Sequence, residues 1–440
     1  MSVPGGVDSR NPGVPPCIWS QTTGTGSGNP EQERPCPIKK SHPPDYAEAA
    51  VRAHPTIVCL SNLDWGYLRY RKQHLMERLA RRLDVVYVNP PRAVKARQWP
   101  FRRRTTQVTS SLWVHEPFVM PAMIRSGTAK RITYEWLTYR LKPWKRRARP
   151  FVLWLYSPHG LPFIDLLRPD LVVYDVADLY ATPGGARLRD GWEKREIETL
   201  ADLEDRLLPR ADLVLCVSEP LAERIGSRAR RVHLVPNGCD WGRYAHMNRP
   251  ATPLRGARPR LGFVGSLAPR VNFELIAGIA GARPDWRIEL VGPVSPLADL
   301  SSIQGCSNVC CTGEVRYEDV PARIASYDVC LLPLHEIDSA YFCSPIQVYD
   351  YLAAGKPVVS TPVGQLERLH GLVHVARDWK DFVCAVEKAL DERDQAGFLR
   401  RRNFAERNSW DCRIRQIMTL LDDAGVALCQ RAREVDNDAF

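Results

Sequence analysis

No stretch of the 440-residue chain stays apolar for the ~18 residues that a bilayer-crossing helix needs. The start, MSVPGGVDSR, lacks a charged segment followed by an apolar one, so no signal peptide and a cytoplasmic location are expected. CxxC pairs are also lacking. The thirteen cysteines are scattered and odd in number, and adjacent Cys310 and Cys311 suit neither a zinc knuckle nor an easy disulfide. Most cysteines sit in apolar runs (Cys59 in IVCLS, Cys216 in LVLCVS, Cys330 in VCLLPL), as reduced, buried small hydrophobes do; Cys343, in a polar loop, is the exception. The only D-x-D, a metal-chelating pattern, is Asp436–Asp438 in the terminal stretch, so no metal site is expected in the folded part. No short internal repeat is present.

What the chain has is an ordinary globular composition, 44% apolar and 25% charged, which excludes a wholly disordered chain, a collagen or a coiled-coil rod. Its length suits two domains. Residues 1–45 hold nine Pro and six Gly with few large aliphatics. Such a segment cannot bury enough surface to offset its ordering entropy, so residues 1–50 read as a disordered tail.

Short apolar runs then alternate with helical stretches. Ile57–Leu60, Val85–Val88, Phe151–Tyr156, Leu171–Val176, Leu213–Val217 and Val232–Val235 read as strands buried on both faces. A Pro- and Arg-rich linker over 246–259 separates them from a second set: Leu261–Val264, Ile288–Val291, Val309–Cys311, Val329–Leu332, Val358–Ser360 and Val373–Val375. The expectation is an α/β protein with two doubly wound, Rossmann-like domains facing across a cleft. These are an N-terminal domain at 51–245 and a C-terminal one at 260–410, with a terminal helix and tail at 411–440. Ligands belong at the carboxyl ends of the strands.

The net charge of +11 is unevenly placed. Arg92–Arg149 carries fifteen Lys or Arg against Glu116 and Glu135, a local +13, interleaved with Trp99, Phe101, Trp136, Tyr139 and Trp144. Clustered cations attract phosphates, anionic lipid or nucleic acid, and adjacent aromatics suit a membrane interface. No nucleic-acid recognition motif accompanies them.

The most informative stretch is Asp328–Pro362, DVCLLPLHEIDSAYFCSPIQVYDYLAAGKPVVSTP. A strand ends near Leu334, and Ser344-Pro345 opens a helix as cap and first-turn residue. The helix N-terminus at Pro345–Val348, with the unpaired N–H groups that follow the proline, would face the cleft and hold a pyrophosphate. Asp350, one turn on, is placed to bond a ribose diol, and Gly355 ends the helix.

This stretch resembles the nucleotide-sugar motif of GT-B glycosyltransferases of the large retaining group 1 type (glycosyltransferase family 4). Further matches follow in order. RLGFVGSL (Arg260–Leu267) resembles the strand and glycine turn opening the family's donor domain. PDWRIELVGP (Pro284–Pro293) and NVCCTG (Asn308–Gly313) resemble its next two strands, the latter preceding the base-binding loop with Val315. Ala211–Ser218 and VPNGCD (Val235–Asp240) resemble the end of the acceptor domain. The likeness covers about residues 55–425. Asn62–Ala80, NLDWGYLRYRKQHLMERLA, resembles the "W-x5-R-x-Q-x-L-a" opening of a subgroup making cell-surface polysaccharides of the teichuronic acid type.

The resemblance implies a retaining transfer of sugar from a nucleoside diphosphate sugar to a hydroxyl of a glycan or lipid-linked glycan. Same-face attack assisted by the departing phosphate would need no protein nucleophile, cofactor or metal. Gly265, Ser266, Arg270, Val315, Ser344, Pro345, Gln347, Val348 and Asp350 would hold the donor. Arg270 would stabilise the leaving phosphate, with Asp178 as its catalytic partner at the acceptor hydroxyl. Asp64, Trp65 and His159 would face the acceptor. Two positions depart from the family pattern: Phe342 and Asp350 replace its Glu-x7-Glu pair, and Gln347 replaces its lysine, which shifts phosphate neutralisation onto Arg270. Plainer roles stand beside these: a tight turn for Gly265, caps for Asp175 and Asp178, a solvated Asp350, ordinary loop residues for His159 and His335. Two other classes share the fold, a nucleotide-sugar epimerase and an inactive module binding membrane or partner enzymes. The basic segment disfavours the first; Phe342 and Gln347 motivate the second.

Overall fold

A computed structural model of the protein describes residues 54–93, 104–119, 127–179, 194–248, 258–336, 338–392 and 394–426. The tail expected over 1–50, residues 249–257 of the linker, and residues 94–103 and 120–126 of the basic segment lie outside them.

The first half supplies β1 (His54–Leu60), β2 (Asp84–Val88), β3 (Arg92–Ala93), β4 (Arg104–Thr109), β5 (Leu112–Glu116), β6 (Phe118–Val119), β7 (Ala148–Leu155), β8 (Leu171–Val176), β9 (Leu213–Cys216) and β10 (Val232–Leu234). Eight of them form one sheet in the order β10-β9-β8-β7-β1-β2-β5-β4, and β3 pairs with β6 apart from it. Only β4 runs antiparallel, against β5. The second half supplies β11 (Arg260–Val264), β12 (Arg287–Val291), β13 (Val309–Gly313), β14 (Val329–Leu332), β15 (Val358–Ser360) and β16 (Val373–Val375), in the order β13-β12-β11-β14-β15-β16, all parallel. Both sheets are doubly wound, as the alternation predicts. The strand order reverses between β1 and β7 in the first and between β11 and β14 in the second. At those points neighbouring connections leave to opposite faces and open a crevice for ligands.

Helices follow the strands: α1 (Arg71–Leu79), α2 (Gly127–Arg147), α3 (Pro162–Leu167), α4 (Lys194–Leu207), α5 (Glu219–Ile225) and α6 (Trp241–Tyr244), then α7 (Phe273–Ala282), α8 (Val320–Ala325), α9 (Asp338–Tyr341), α10 (Ile346–Ala353), α11 (Trp379–Asp391), α12 (Gln395–Arg407) and α13 (Trp410–Asp423). The sequence reading did not foresee α2 or the β4–β5 pair, because the cations hide the periodicity. In α2, Leu137 and Leu141 are buried and Trp144 packs its ring 4.8 Å from Trp113. Trp144 is thus held against the core and is not an interfacial anchor. Tyr139, Lys142 and Arg146 stay exposed. Among the described residues no helix is long and apolar enough to cross a membrane.

The last helix returns to the first domain. Ser409 caps α13 by accepting from Cys412 N at 3.4 Å. Trp410, Ile417 and Leu421 then join Leu75, Met76 and Leu79 of α1 in the first domain's core. Two strand-like segments cross between the domains side by side, bridged at Cys239 and Ser409. A Cβ at Gly238 would come within 2.6 Å of Asn408 O, so glycine permits this crossing.

Candidate active site

β11 is a buried run, and its end is pinned from α10: Val264 N donates to Tyr351 Oη at 2.9 Å. The chain then turns at Gly265, whose N–H reaches Val291 O at 2.9 Å. A Cβ there would lie 2.7 Å from Gln347 Nε2. At Gly292 (φ +143°) a Cβ would fall 2.0 Å from Gly265 O, so backbone touches backbone and no side chain fits. Ser266 and Arg270 follow, both half-buried. Arg270 O accepts from His335 N at 2.9 Å, which ties the turn after β11 to the loop after β14.

α10 opens differently from the expectation. Pro345 itself is the N-cap (φ −62°, ψ 118°), and no side chain caps the helix. Ser344 lies one residue too early to reach the first turn. Its hydroxyl is 3.3 Å from Tyr349 Oη and accepts from Asn237 N at 3.4 Å. The first-turn N–H groups, Ile346, Gln347 and buried Val348, therefore have no side-chain acceptor. They carry the positive end of the helix dipole, which favours an anion.

Asp350 follows one turn later and shares a hydrogen bond with Tyr244 of α6. Burial first, then the neighbouring carboxylate of Asp240, push its carboxyl up to about 7. Asp240 itself is held below the usual carboxylate range: burial opposes this, but Arg78, at 2.6 Å, and Arg243, at 3.1 Å, prevail.

On the facing domain, Asp64 and Trp65 lie in the loop after β1. Gln73 Nε2 braces that loop through the carbonyls of Asp64 (3.3 Å), Trp65 (3.5 Å) and Leu68 (3.3 Å). Trp65 N donates to Asn89 Oδ1 at 2.8 Å. Trp65 and Val315, from opposite domains, line one cleft cavity of about 350 Å³ with Tyr67, Arg69 and Tyr317. His159 is exposed on the short turn after β7. Asp178 is exposed beyond the end of β8.

Asp178 and Arg270 act on the same two groups, Tyr70 and Cys343. Burial raises the Tyr70 hydroxyl and pushes the Cys343 thiol up to about 12. On both groups Arg270 acts to lower and Asp178 to raise. One cation and one carboxylate, from opposite domains, thus act on Tyr70 and Cys343, and burial disfavours the Cys343 thiolate.

Several side chains at this junction escaped the sequence reading. Asn237, Asp240 and Tyr317 bridge the domains, and Arg71 braces Asn237 from within the first; Tyr317 carries Arg243 4.3 Å over its ring. Arg71 leaves its trace in the sequence within W-x5-R-x-Q, and Asn237 and Asp240 within VPNGCD; Tyr317 lies in neither.

Residues 258–392 match the family of glycosyl transferases group 1. A Bacillus subtilis (strain 168) protein, TuaH, named for glycosyl transfer in teichuronic acid biosynthesis, is 28% identical over 387 residues, covering 82% of this chain and 96% of its own. The chain is a GT-B glycosyltransferase. Its fold matches sucrose-phosphate synthase of Thermosynechococcus elongatus with a TM-score of 0.64 at 15% identity, over 85% of this chain and 100% of that one. Anabaena HepE, solved in complex with UDP and glucose, gives 0.61 at 15% identity, over 84% and 100%. A GDP-mannose-dependent alpha-mannosyltransferase of Mycolicibacterium smegmatis is 28% identical over 261 residues, 56% of this chain and 64% of its own. The expected fold and enzyme class thus stand for this glycosyltransferase.

Proposed function

We propose that the enzyme transfers a sugar, with retention, from a nucleoside diphosphate sugar to a hydroxyl of a glycan or lipid-linked glycan in cell-surface polysaccharide synthesis. The observation that carries this is that Arg270 and Asp178, from opposite domains, both act on Cys343, two residues before the Pro345 cap of α10, whose first turn no side chain caps. The donor pyrophosphate rests on the first-turn N–H groups of α10. Arg270 takes the charge that develops as the sugar–phosphate bond breaks, where fixed positive groups lower the barrier most. Gln347, lying over Gly265, donates hydrogen bonds but no charge. Asp350 accepts from the ribose diol, and the base enters the cavity beside Val315. The acceptor hydroxyl approaches from the Asp178 side, on the face the phosphate leaves. The departing phosphate takes its proton, so no protein nucleophile, metal or cofactor is needed.

The likeness to the Bacillus subtilis protein supports a polysaccharide role. The exposed cations of α2 support residence on the anionic inner face of the plasma membrane, where a lipid-linked acceptor would be found. The test is donor turnover over a panel of uridine, guanosine and adenosine diphosphate sugars, GDP-mannose included, with the anomeric configuration of product read by NMR. Turnover of one donor with retained configuration is expected. Inversion would overturn the same-face mechanism. Binding without turnover or hydrolysis of any donor would make the chain an inactive module.

A further inference from the structure

Arg71 is the arginine of the W-x5-R-x-Q pattern, and nothing in the mechanism above uses it. It opens α1 and is 2% exposed. Its Nε donates to both oxygens of the fully buried Asp175, at 2.9 and 3.0 Å. Its Nη1 reaches Pro236 O at 3.2 Å and Asn237 Oδ1 at 3.5 Å. Asn237 then crosses to the other domain: Nδ2 donates to Ser344 O at 2.6 Å, and its backbone N donates to Ser344 Oγ at 3.4 Å. The guanidinium can only donate, so it fixes the amide oxygen of Asn237 toward itself and turns the amide NH2 toward Ser344. Ser344 is the residue before the cap of α10.

A buried ion pair is seldom kept for stability, because desolvation offsets most of its attraction; fixing register is its best attested use. We infer that Asp175, Arg71 and Asn237 form a positioning relay through which the acceptor domain aims the N-terminus of α10. The relay rests on the proposal that this terminus receives the donor pyrophosphate. None of the three touches substrate. They make the anion site correct only when the two domains hold the register seen here, so donor binding and domain closure are coupled. Displacement of a reacting group by about 1 Å can cost on the order of 10²-fold in rate.

The selective variant is Asn237→Asp. It keeps an oxygen for Arg71 but sets a second oxygen against Ser344 O where a donor stood. Hydrogen exchange at Ile346–Val348 is followed with UDP or GDP added, alongside melting, kcat and KM. The expected result is diphosphate-dependent protection in the wild type, weakened in Asn237→Asp, with kcat reduced at least tenfold and KM changed less. Should that variant melt early, Arg71→Lys makes the same comparison, keeping the charge beside Asp175 while losing the fork that reaches Asn237. Protection in the wild type together with wild-type kcat in these variants overturns the relay alone. No protection in the wild type with either diphosphate overturns the assignment of α10 and the relay with it.

Discussion

Ser218 donates its hydroxyl to the carbonyl of Phe342 at 2.6 Å, across the boundary between the two domains. Phe342 stands where the family often has the first glutamate of its pair. Here its ring packs on the core of the acceptor domain, with the Arg224 guanidinium 6.0 Å away. Nearby, Arg368 of the donor domain pairs with Glu219 of α5. The position that reads in sequence as a departure from the family pattern serves in the fold as an anchor between domains.

Phe342→Ala should therefore act on domain packing. A half-buried ring should cost about 1–2 kcal/mol, below the 3–5 kcal/mol of a fully buried Phe. Urea unfolding measures it, and small-angle scattering should show a larger radius of gyration. An unchanged radius and midpoint would remove the anchor.

Asp350→Ala should weaken nucleoside diphosphate binding by ~1–3 kcal/mol through loss of hydrogen bonds to the diol. Calorimetry with UDP or GDP checks it, and unchanged affinity would move the diol elsewhere.

The same residue predicts a pH dependence. Its carboxyl moves from 3.8 to about 7 on folding, so the folded state binds the extra proton between those values. That contribution to stability is full below pH 3.8 and is lost as pH rises through about 7. His74 acts oppositely: burial, then Arg78, lower it from 6.5 to about 3, so its contribution is lost as pH falls from 6.5 toward 3. Melting of Asp350→Asn relative to wild type isolates the first. The wild type should lose its advantage between pH 3.8 and about 7; a constant difference over that range contradicts the assignment.

Arg270→Ala should lower kcat by about 10²-fold and donor affinity much less, since charge on the leaving phosphate is greatest in the transition state. Equal losses would make Arg270 a plain binder. Turnover should persist in excess chelator; a loss restored by magnesium or manganese would show that a metal takes part.

The exposed cations of α2 predict binding to anionic vesicles that half-molar salt abolishes. Each Lys or Arg near such a surface contributes on the order of 1 kcal/mol, and salt screens it. Co-sedimentation with neutral vesicles is the comparison. Binding that ignores lipid charge would exclude electrostatic docking and leave the cations to the acceptor's own pyrophosphate.

The sequence by itself determined the second sheet and all of the first but β4 and β5, because a strand buried on two faces announces itself as a local apolar run whatever lies beside it. It also showed the order of motifs, the helix at Ile346–Ala353 and the departures at Phe342 and Gln347. What only the tertiary structure decided concerns polar side chains, whose meaning depends on partners far along the chain. Arg71 meets Asp175 104 residues away, and Asn237 meets Ser344 across 107. Trp144 was equally ambiguous: beside lysines and arginines it suits a membrane, and only contact with Trp113 makes it core. Ser344 precedes a proline at a helix start and so reads as a cap. Pro345 takes the cap position instead, and Asn237 occupies the serine from the other domain.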